Sequence, residues 1–200
     1  MNMDVNLEII EKAKPIRMLV MDVDGVLTDG RIFYNAAGVE TKAFFVRDGL
    51  GLRMAQQAGL LTAILTGRVS GAVTHRAKDL GISEIHQGVL NKLEVYEMLL
   101  QRYGLTDEAA AYVGDDLNDL PVLSRAGLSA APVDAALEVR ARVAYVTTQA
   151  GGRGAVREVI DLILKAQGRW GELVEGRGPA SKQGRPGSGF FLTSRRGVLQ

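Results

Sequence analysis

The stretch MLVMDVDGVLTDG, residues 18–30, decides the fold that the sequence predicts. Its apolar first part, 18–23, has the length and composition of a buried parallel strand. Asp22 and Asp24 lie at the carboxyl end of that strand, where open α/β sheets bind ligands, and in an extended chain their side chains share one face. Two carboxylates so close together repel each other unless a proton or a cation lies between them. The pair indicates a Mg²⁺ site with one aspartate free to act as a nucleophile, although Asp and Gly are also common where a strand meets a turn.

The composition is that of one globular domain without an evident macromolecular partner. Of the 200 residues, 46% are hydrophobic and 24% charged, and the formal net charge is +1, so we expect no nucleic-acid partner. The chain has no cysteine, which excludes disulfides and thiolate metal ligands. We find no apolar stretch of the roughly 18–20 residues that a membrane span needs, and no segment resembling a signal peptide. We therefore expect a cytoplasmic protein with no membrane partner.

Apolar, strand-like runs alternate with helical stretches along most of the chain. This alternation predicts an α/β fold with a Rossmann-like parallel sheet and helices on both of its faces. We expect a single domain over residues 1–170 and a flexible Gly/Arg-rich tail over 171–200. At the helix starts, Asp48 and Gly49 are expected to cap one helix, and Asn91 the helix that begins at Lys92.

A β-hairpin is predicted before the first helix of the alternating pattern. Two β-prone runs, 31–35 and 39–46, flank the short segment 36–38, which ends in Gly38. The aromatic and apolar content of the hairpin favours burial against another subunit, and folding back over its own domain is the alternative.

Polar residues follow three of the predicted strands and begin one helix. These groups are Asp22 with Asp24, the sequence Thr66-Gly67-Arg68, the start of the helix at Lys92, and Gly114-Asp115-Asp116 with Asp119. In a parallel sheet all four groups converge on one edge. Taken alone, Thr66-Gly67 is also an ordinary strand-to-helix turn and Lys92 an ordinary surface residue. Three carboxylates within five residues of a buried strand are costly without a cation, which favours a metal site.

With this order and placement, the four groups resemble the four motifs of the haloacid dehalogenase (HAD) superfamily of phosphatases. The segment 24–30, the hairpin after it, Arg47-Asp48-Gly49 and the stretch 151–158 resemble more closely the 3-deoxy-D-manno-octulosonate 8-phosphate phosphatases. They are also similar to the N-acylneuraminate 9-phosphate phosphatases. The resemblance covers about residues 16–170 and implies a hairpin in place of a large cap.

The resemblance implies a two-step reaction with Mg²⁺ as the cofactor. It assigns catalytic roles to Asp22, Asp24, Thr66 and Lys92, metal ligands to Asp22, Asp115 and the backbone carbonyl of Asp24, and supporting positions to Asp116 and Asp119. Asp22 would attack phosphorus and form an aspartyl-phosphate, while Asp24 would protonate the leaving sugar oxygen and then deprotonate the attacking water. Lys92 would stabilise the charge on the phosphoryl oxygens.

The implied substrate is a small acidic sugar phosphate. Five residues are expected to contact it: Thr28, Arg47, Asp48, Gly67 and Arg68. The two arginines match a substrate carboxylate, because a guanidinium can bind a carboxylate in bidentate fashion. The turn Gly151–Gly154, which carries Arg153, is expected to reach over the site, either of its own chain or of an adjacent one. The resemblance also implies a homotetramer built on the hairpins.

Several functions remain open at this point. Within the phosphatases, the alternatives are an N-acylneuraminate 9-phosphate phosphatase and a broad hydrolase of small sugar phosphates. A phosphate-binding regulatory domain is the non-enzymatic alternative, but a binder has no use for an acid and base at Asp24. Phosphotransfer to a second sugar is disfavoured, because it requires a cap that excludes water.

Overall fold

The computed structural model describes residues 7–175. The strands are, in chain order, β1 (Met18–Met21), β2 (Phe33–Tyr34), β3 (Glu40–Thr41), β4 (Leu61–Leu65), β5 (Glu84–His86), β6 (Ala110–Val113), β7 (Leu128–Ala131) and β8 (Tyr145–Val146). The helices are α1 (Leu7–Ala13), α2 (Val46–Gln57), α3 (Gly71–Leu80), α4 (Lys92–Tyr103), α5 (Leu120–Leu123), α6 (Leu137–Arg140), α7 (Ala155–Ala166) and α8 (Trp170–Val174). Short 3-10 helices lie at Asp107–Ala109 and Leu117–Asp119. No helix in this part of the chain combines the length and the hydropathy that a membrane span requires.

Six of the strands form one parallel sheet in the order β5-β4-β1-β6-β7-β8. After β1 the chain adds β4 and β5 on one side of it and then β6, β7 and β8 on the other. The direction of winding therefore reverses between β1 and β6, and ligands of open α/β sheets bind at such a reversal. The parallel α/β fold predicted from the sequence is confirmed.

The central strand β1 is buried on both faces because helices cover both sides of the sheet. All four of its residues are buried. Successive side chains of a strand point to opposite faces. Leu19 and Met21 accordingly pack into the core shared with α2 and α7, and Met18 and Val20 into the core shared with α4. The position of β1, and of the loop that follows it, is thus fixed from both sides.

Helix α7 has the apolar spacing expected of a helix packed on a sheet. Its buried apolar side chains recur every three or four residues: Val156, Val159, Ile160, Ile163 and Leu164. Its first residue follows the glycine-rich turn that the sequence singled out. This packing holds that turn against the loop after β1.

The hairpin is present, with Phe33 paired to Thr41 and Tyr34 to Glu40 in an antiparallel ribbon. It lies between β1 and α2, the place at which the sequence predicted it. Its side chains are largely exposed within one chain, including Phe33 (50%) and Tyr34 (61%).

The prediction that Asp48 and Gly49 cap helix α2 is wrong. Helix α2 begins at Val46, with Phe45 as the N-cap residue and no side-chain cap. Asp48 lies inside the first turn, and its Oδ1 accepts a hydrogen bond from the Arg157 backbone N–H at 2.8 Å. Asn91 holds the N-cap position of α4 but makes no side-chain cap bond, since its amide donates to Glu94 Oε1 at 2.7 Å.

The last helix, α8, extends beyond residue 170, where we expected the domain to end. Residues 171–174, which we expected to begin the tail, belong to α8. Trp170 packs against the core of the sheet and also contacts the cationic groups of Arg157 and Lys165. The remainder of the predicted tail, 176–200, lies outside the described residues.

Candidate active site

The register of the sheet brings the first and last motifs together. Met21 of β1 is paired with Val113 of β6, and the Asp22 backbone N–H donates to Val113 O at 3.0 Å. Asp22 and Gly114 therefore leave neighbouring strands side by side, and Asp115 follows directly. The loop after β1 passes beneath Asp115 at Gly25, where an added Cβ would lie 1.9 Å from Asp115 Oδ2. A side chain at this position would displace the Asp115 carboxylate, and the φ of 83° favours glycine.

Three carboxylates meet at this edge of the sheet. One oxygen each from Asp22, Asp115 and Asp119 lies within 4.8 Å of the others. Burial raises the pKa of Asp115 to about 8, and the neighbouring charges of Asp22 and Asp119 contribute to that rise. Burial also raises the pKa of Asp22, although the charge of Lys92 opposes the change. Crowded carboxylates with raised pKa values, offering hard oxygen ligands, fit a Mg²⁺ ion.

Lys92 is the cation that the chain itself supplies to this cluster. Its Nζ donates to Asp22 Oδ2 and to Asp119 Oδ1, each at 2.7 Å, and its side chain is almost completely buried. Burial by itself would lower the pKa of Lys92, but the two carboxylates outweigh that effect and raise it. The ammonium is therefore charged and held beside the Asp22 carboxylate.

Asp119 has both of its carboxylate oxygens engaged by the protein. Oδ1 accepts from Lys92 and from the Tyr112 hydroxyl, the latter at 2.6 Å. Oδ2 accepts from the backbone N–H groups of Asp115 at 3.0 Å and Asp116 at 3.3 Å. The Asp116 side chain caps the short helix at 117–119 by accepting from the Leu117 N–H. By contrast, no hydrogen bond from within residues 7–175 reaches the Asp115 carboxylate, which leaves it free for a ligand.

The side chain of Asp24 lies apart from the three clustered carboxylates. Its Oδ1 pairs with the Lys42 ammonium and is 3.4 Å from Thr28 Oγ1, while its Oδ2 is 3.6 Å from Arg68 Nε. The sequence-based assignment gave the metal only the backbone carbonyl of Asp24, and the placement of the side chain is compatible with that. Lys42, on the hairpin, was not among the predicted site residues.

Thr66 and Gly67 lie at the end of β4, beside the end of β1. Met21 is paired with Ile64, so Thr66 follows β4 at the level just beyond Asp22. Thr66 is buried, and its backbone N–H donates to His86 O at 2.9 Å. The two residues are thus held at the edge of the sheet on which the acidic cluster lies.

Comparisons with known proteins show which family the chain resembles. A family model described as haloacid dehalogenase-like hydrolase matches residues 77–160. The chain is 49% identical over 168 residues to 3-deoxy-D-manno-octulosonate 8-phosphate phosphatase KdsC of Escherichia coli, a match that covers 84% of this chain and 89% of the relative. The chain belongs to this phosphatase family.

Solved structures of the family superpose closely on the chain. The phosphatase of Moraxella catarrhalis, crystallised with a magnesium ion, a phosphate ion and a KDO molecule, is 48% identical, with a TM-score of 0.83 over 84% of this chain and 97% of that one. The cobalt-bound phosphatase of Haemophilus influenzae is 44% identical, with a TM-score of 0.76 over 78% and 92% of the two chains.

The side chains predicted to contact the substrate of this phosphatase differ in their exposure: two are exposed and two are buried. Arg68 and Arg47 are exposed: Arg68 donates to Tyr34 Oη at 3.0 Å and to Glu40 Oε2 at 2.8 Å, and Arg47 has no hydrogen bond or ion pair within the described part of the chain. Gly67 lies between Thr66 and Arg68, with its backbone at the edge of the sheet.

Thr28 and Asp48 are buried and have partners within the protein. Thr28 Oγ1 donates to Val23 O at 3.3 Å and accepts from the Gly30 N–H at 3.3 Å, so it braces the loop after β1. Asp48 accepts from the start of α7, and burial raises its pKa to about 6. Both residues are placed to support the shape of the site, and their contact with substrate stays a prediction.

The glycine-rich turn packs against the loop after β1 of its own chain, and its reach over a site, its own or that of an adjacent chain, stays a prediction. The Gly152 N–H donates to Val26 O at 2.9 Å. A Cβ added to Gly151 would lie 1.8 Å from Gly25 O, so the two backbones are in direct contact. Arg153 is exposed; hydrogen bonds from Arg31 are the main cause that lowers the pKa of Asp29, and the charge of Arg153 adds a smaller contribution.

Sequence reasoning missed three polar residues that the fold brings to the phosphatase site. These are Lys42, Glu40 and Tyr112. Glu40 lies on the short hairpin strand β3 and Lys42 directly follows it, and charged residues are common in a short hairpin. Tyr112 lies in the middle of a buried strand. The feature of the sequence that could have indicated its role is the hydroxyl, which needs a hydrogen-bond partner when it is buried.

Proposed function

We propose that this chain hydrolyses 3-deoxy-D-manno-octulosonate 8-phosphate to the free sugar acid and phosphate, with Mg²⁺ as cofactor and an aspartyl-phosphate at Asp22. The observation that carries the proposal is the buried contact of Lys92 with Asp22 and Asp119, beside the free carboxylate of Asp115, at the point where the sheet reverses its winding. The 49% identity to a phosphatase named for this substrate supports the choice of sugar.

Asp22 is well placed to act as the nucleophile. Its Oδ2 accepts from Lys92, and its Oδ1 accepts from the Val23 backbone N–H at 2.6 Å. A carboxylate fixed in this way needs little reorientation before it attacks phosphorus. The Lys92 ammonium stands next to the attacking group, where it stabilises negative charge on the phosphoryl oxygens.

Asp22, Asp115 and the Asp24 backbone carbonyl would hold the Mg²⁺ ion, which offsets the repulsion between an anionic nucleophile and a phosphate dianion. The saturated hydrogen bonding of Asp119 supports a role in orienting Lys92 rather than in binding the ion directly. Asp116 caps its helix and helps to shape the loop that carries Asp115.

Asp24 acts as the acid and base of the reaction in this proposal. It lies two residues beyond the nucleophile, and Oδ2 is the oxygen on the side of the exposed Arg68. Thr66 and the Gly67 backbone N–H, at the neighbouring strand end, would donate to phosphoryl oxygens. Arg68 and Arg47 are the groups we assign to the substrate carboxylate.

We also propose that the chain forms a homotetramer through its hairpins and acts in the cytoplasm. Apolar side chains of the hairpin region, Ile32, Phe33, Tyr34 and Val39, are exposed in the single chain, and an apolar patch of this kind favours association. A sugar carrying both a carboxylate and a phosphate does not cross a bilayer unaided, so the enzyme must share a compartment with the source of its substrate. Cell fractionation tests the assignment to the cytoplasm.

Phosphate release from a panel of sugar phosphates tests the proposed function. With Mg²⁺, we expect the octulosonate 8-phosphate to react much faster than N-acylneuraminate 9-phosphate or unrelated sugar phosphates, and chelation of Mg²⁺ to stop the reaction. Asp22→Asn should abolish turnover, whereas Asp79→Asn, an exposed site on α3, should not change it. Equal rates on all esters would contradict the assigned substrate but not the reaction. Mg²⁺-dependent phosphate binding without any turnover would favour a regulatory domain.

A further inference from the structure

A buried lysine outside the four motifs contacts the proposed acid of the reaction. Lys42 directly follows β3 of the hairpin, and its side chain has no exposure to solvent (0%). Its Nζ pairs with Asp24 Oδ1 and lies 3.6 Å from Glu40 Oε1. An ammonium is costly to bury unless a specific partner compensates the loss of hydration. Its placement on Asp24 therefore calls for a functional explanation.

The two oxygens of Asp24 are in different surroundings. Oδ1 is directed into the protein, where Lys42 holds it and the Thr28 hydroxyl is 3.4 Å away. Oδ2 has Arg68 Nε at 3.6 Å, beyond hydrogen-bond distance, on a side chain that is 43% exposed. One oxygen is thus fixed by the protein, and the other accepts no hydrogen bond from the described residues.

Glu40 links the two cations that face Asp24. Its Oε2 accepts from Arg68 Nη2 at 2.8 Å, and its Oε1 faces Lys42. The hairpin consequently reaches both sides of the Asp24 carboxylate, directly through Lys42 and indirectly through Arg68. This arrangement ties the orientation of Asp24 to the position of the hairpin.

We propose that Lys42 is a positioning residue for proton transfer by Asp24: by holding Oδ1, it keeps Oδ2 directed at the ester oxygen of the substrate. The inference rests on the proposed function, because it requires Asp24 to be the acid. As an oxygen of Asp22 bonds to phosphorus, the bond from phosphorus to the ester oxygen breaks, and its electron pair takes the proton from Asp24 Oδ2. The sugar leaves as an alcohol and the phosphoryl group stays on Asp22.

The test compares two phosphate esters that differ in their need for a proton. A sugar alkoxide leaves poorly unless it is protonated, whereas p-nitrophenolate leaves without an acid. Lys42→Met keeps the length of the side chain and removes its charge. We expect it to lower kcat/KM for the sugar phosphate by about 100-fold or more, the usual size of an acid–base contribution. For p-nitrophenyl phosphate, measured at single turnover with enzyme in excess, we expect a change of less than about threefold because the acid is not needed.

Three further variants make the outcome specific. Lys42→Arg retains a cation and should restore part of the rate on the sugar phosphate, and Lys78→Met, at an exposed lysine of α3, should change neither ester. Equal losses on both esters, or no loss on the sugar phosphate, would overturn the positioning role and leave Lys42 as an anchor of the hairpin. Asp24→Asn is the reference. If it fails to discriminate between the esters, the acid role of Asp24 in the proposed function is wrong instead.

Discussion

At the scale of single residues, the division of labour among the carboxylates follows from their hydrogen bonds. Asp119 accepts four hydrogen bonds from protein groups, whereas the Asp115 carboxylate accepts none from residues 7–175. A carboxylate with free lone pairs is the better ligand for a hard cation. We therefore separate metal binding, at Asp115, from the orientation of Lys92, at Asp119.

Two matched variants test this separation. Asp115→Asn should raise the Mg²⁺ concentration needed for half-maximal activity, because it removes a charged ligand. Asp119→Asn should lower kcat by about 10- to 100-fold, the usual cost of losing a group that orients a functional one, with little change in Mg²⁺ dependence. Phosphate release measured across a Mg²⁺ titration gives both quantities. A loss of Mg²⁺ affinity in Asp119→Asn as large as that in Asp115→Asn would contradict the assignment.

The raised pKa of Asp115 couples metal binding to pH. With a pKa of about 8, this carboxyl group is largely protonated at pH 7 when no metal is bound. Mg²⁺ displaces the proton, so affinity should rise with pH up to about 8 and level off above it. Calorimetric titration at pH 7 in two buffers of different ionisation enthalpy should report the released proton. Identical heats in both buffers would show that no proton is released.

The sequence predicted those residues whose chemistry depends on where a strand ends. Asp22, Thr66 and Asp115 each follow an apolar run that had to be buried, so their convergence needed only a parallel sheet. Lys42 could not be found in this way, because its contact with Asp24 depends on how the hairpin folds back across 18 positions of sequence.

At the scale of secondary-structure elements, glycine residues and the spacing of apolar residues indicate most clearly where helices end. Helix α4 begins at Lys92, as predicted, and it ends before Gly104, while α7 covers Ala155–Ala166 directly after Gly154. Gly104 has a φ of 60°, which suits a residue that ends a helix. The start of α2 was misplaced because Asp48 resembles a local cap, although its partner, the start of α7, lies 109 positions away.

The contact between the glycine-rich turn and the loop after β1 is an element-scale feature that a single methyl group tests. Gly151→Ala places a Cβ where Gly25 O now lies, so the two backbones must separate. We expect the free energy of unfolding to fall by about 2 kcal/mol or more, as for other overpacked sites. Urea denaturation measures the change. Gly71→Ala, at the exposed first position of α3 with open space around it, is the control, and equal midpoints for the two variants would contradict the close contact.

At the scale of the whole molecule, the proposed tetramer would bury the exposed apolar side chains of the hairpin against other subunits. Phe33→Ser should lower the mass in solution below that of the wild-type tetramer, because it removes apolar area from the hairpin. Leu137→Ser, at a similarly exposed residue on α6, should leave the mass unchanged. Light scattering after size exclusion gives these masses. A wild-type monomer, or the same mass for all three proteins, would contradict assembly through the hairpin.

The most direct test of the central claim is to capture phosphate on Asp22 during turnover. The enzyme is mixed with Mg²⁺ and octulosonate 8-phosphate carrying a labelled phosphoryl group, then quenched in acid within a single turnover. The account predicts label bound covalently to the protein, located on the peptide that contains Asp22 and absent from Asp22→Asn. Phosphate release without any labelled wild-type protein, or full turnover by Asp22→Asn, would contradict it.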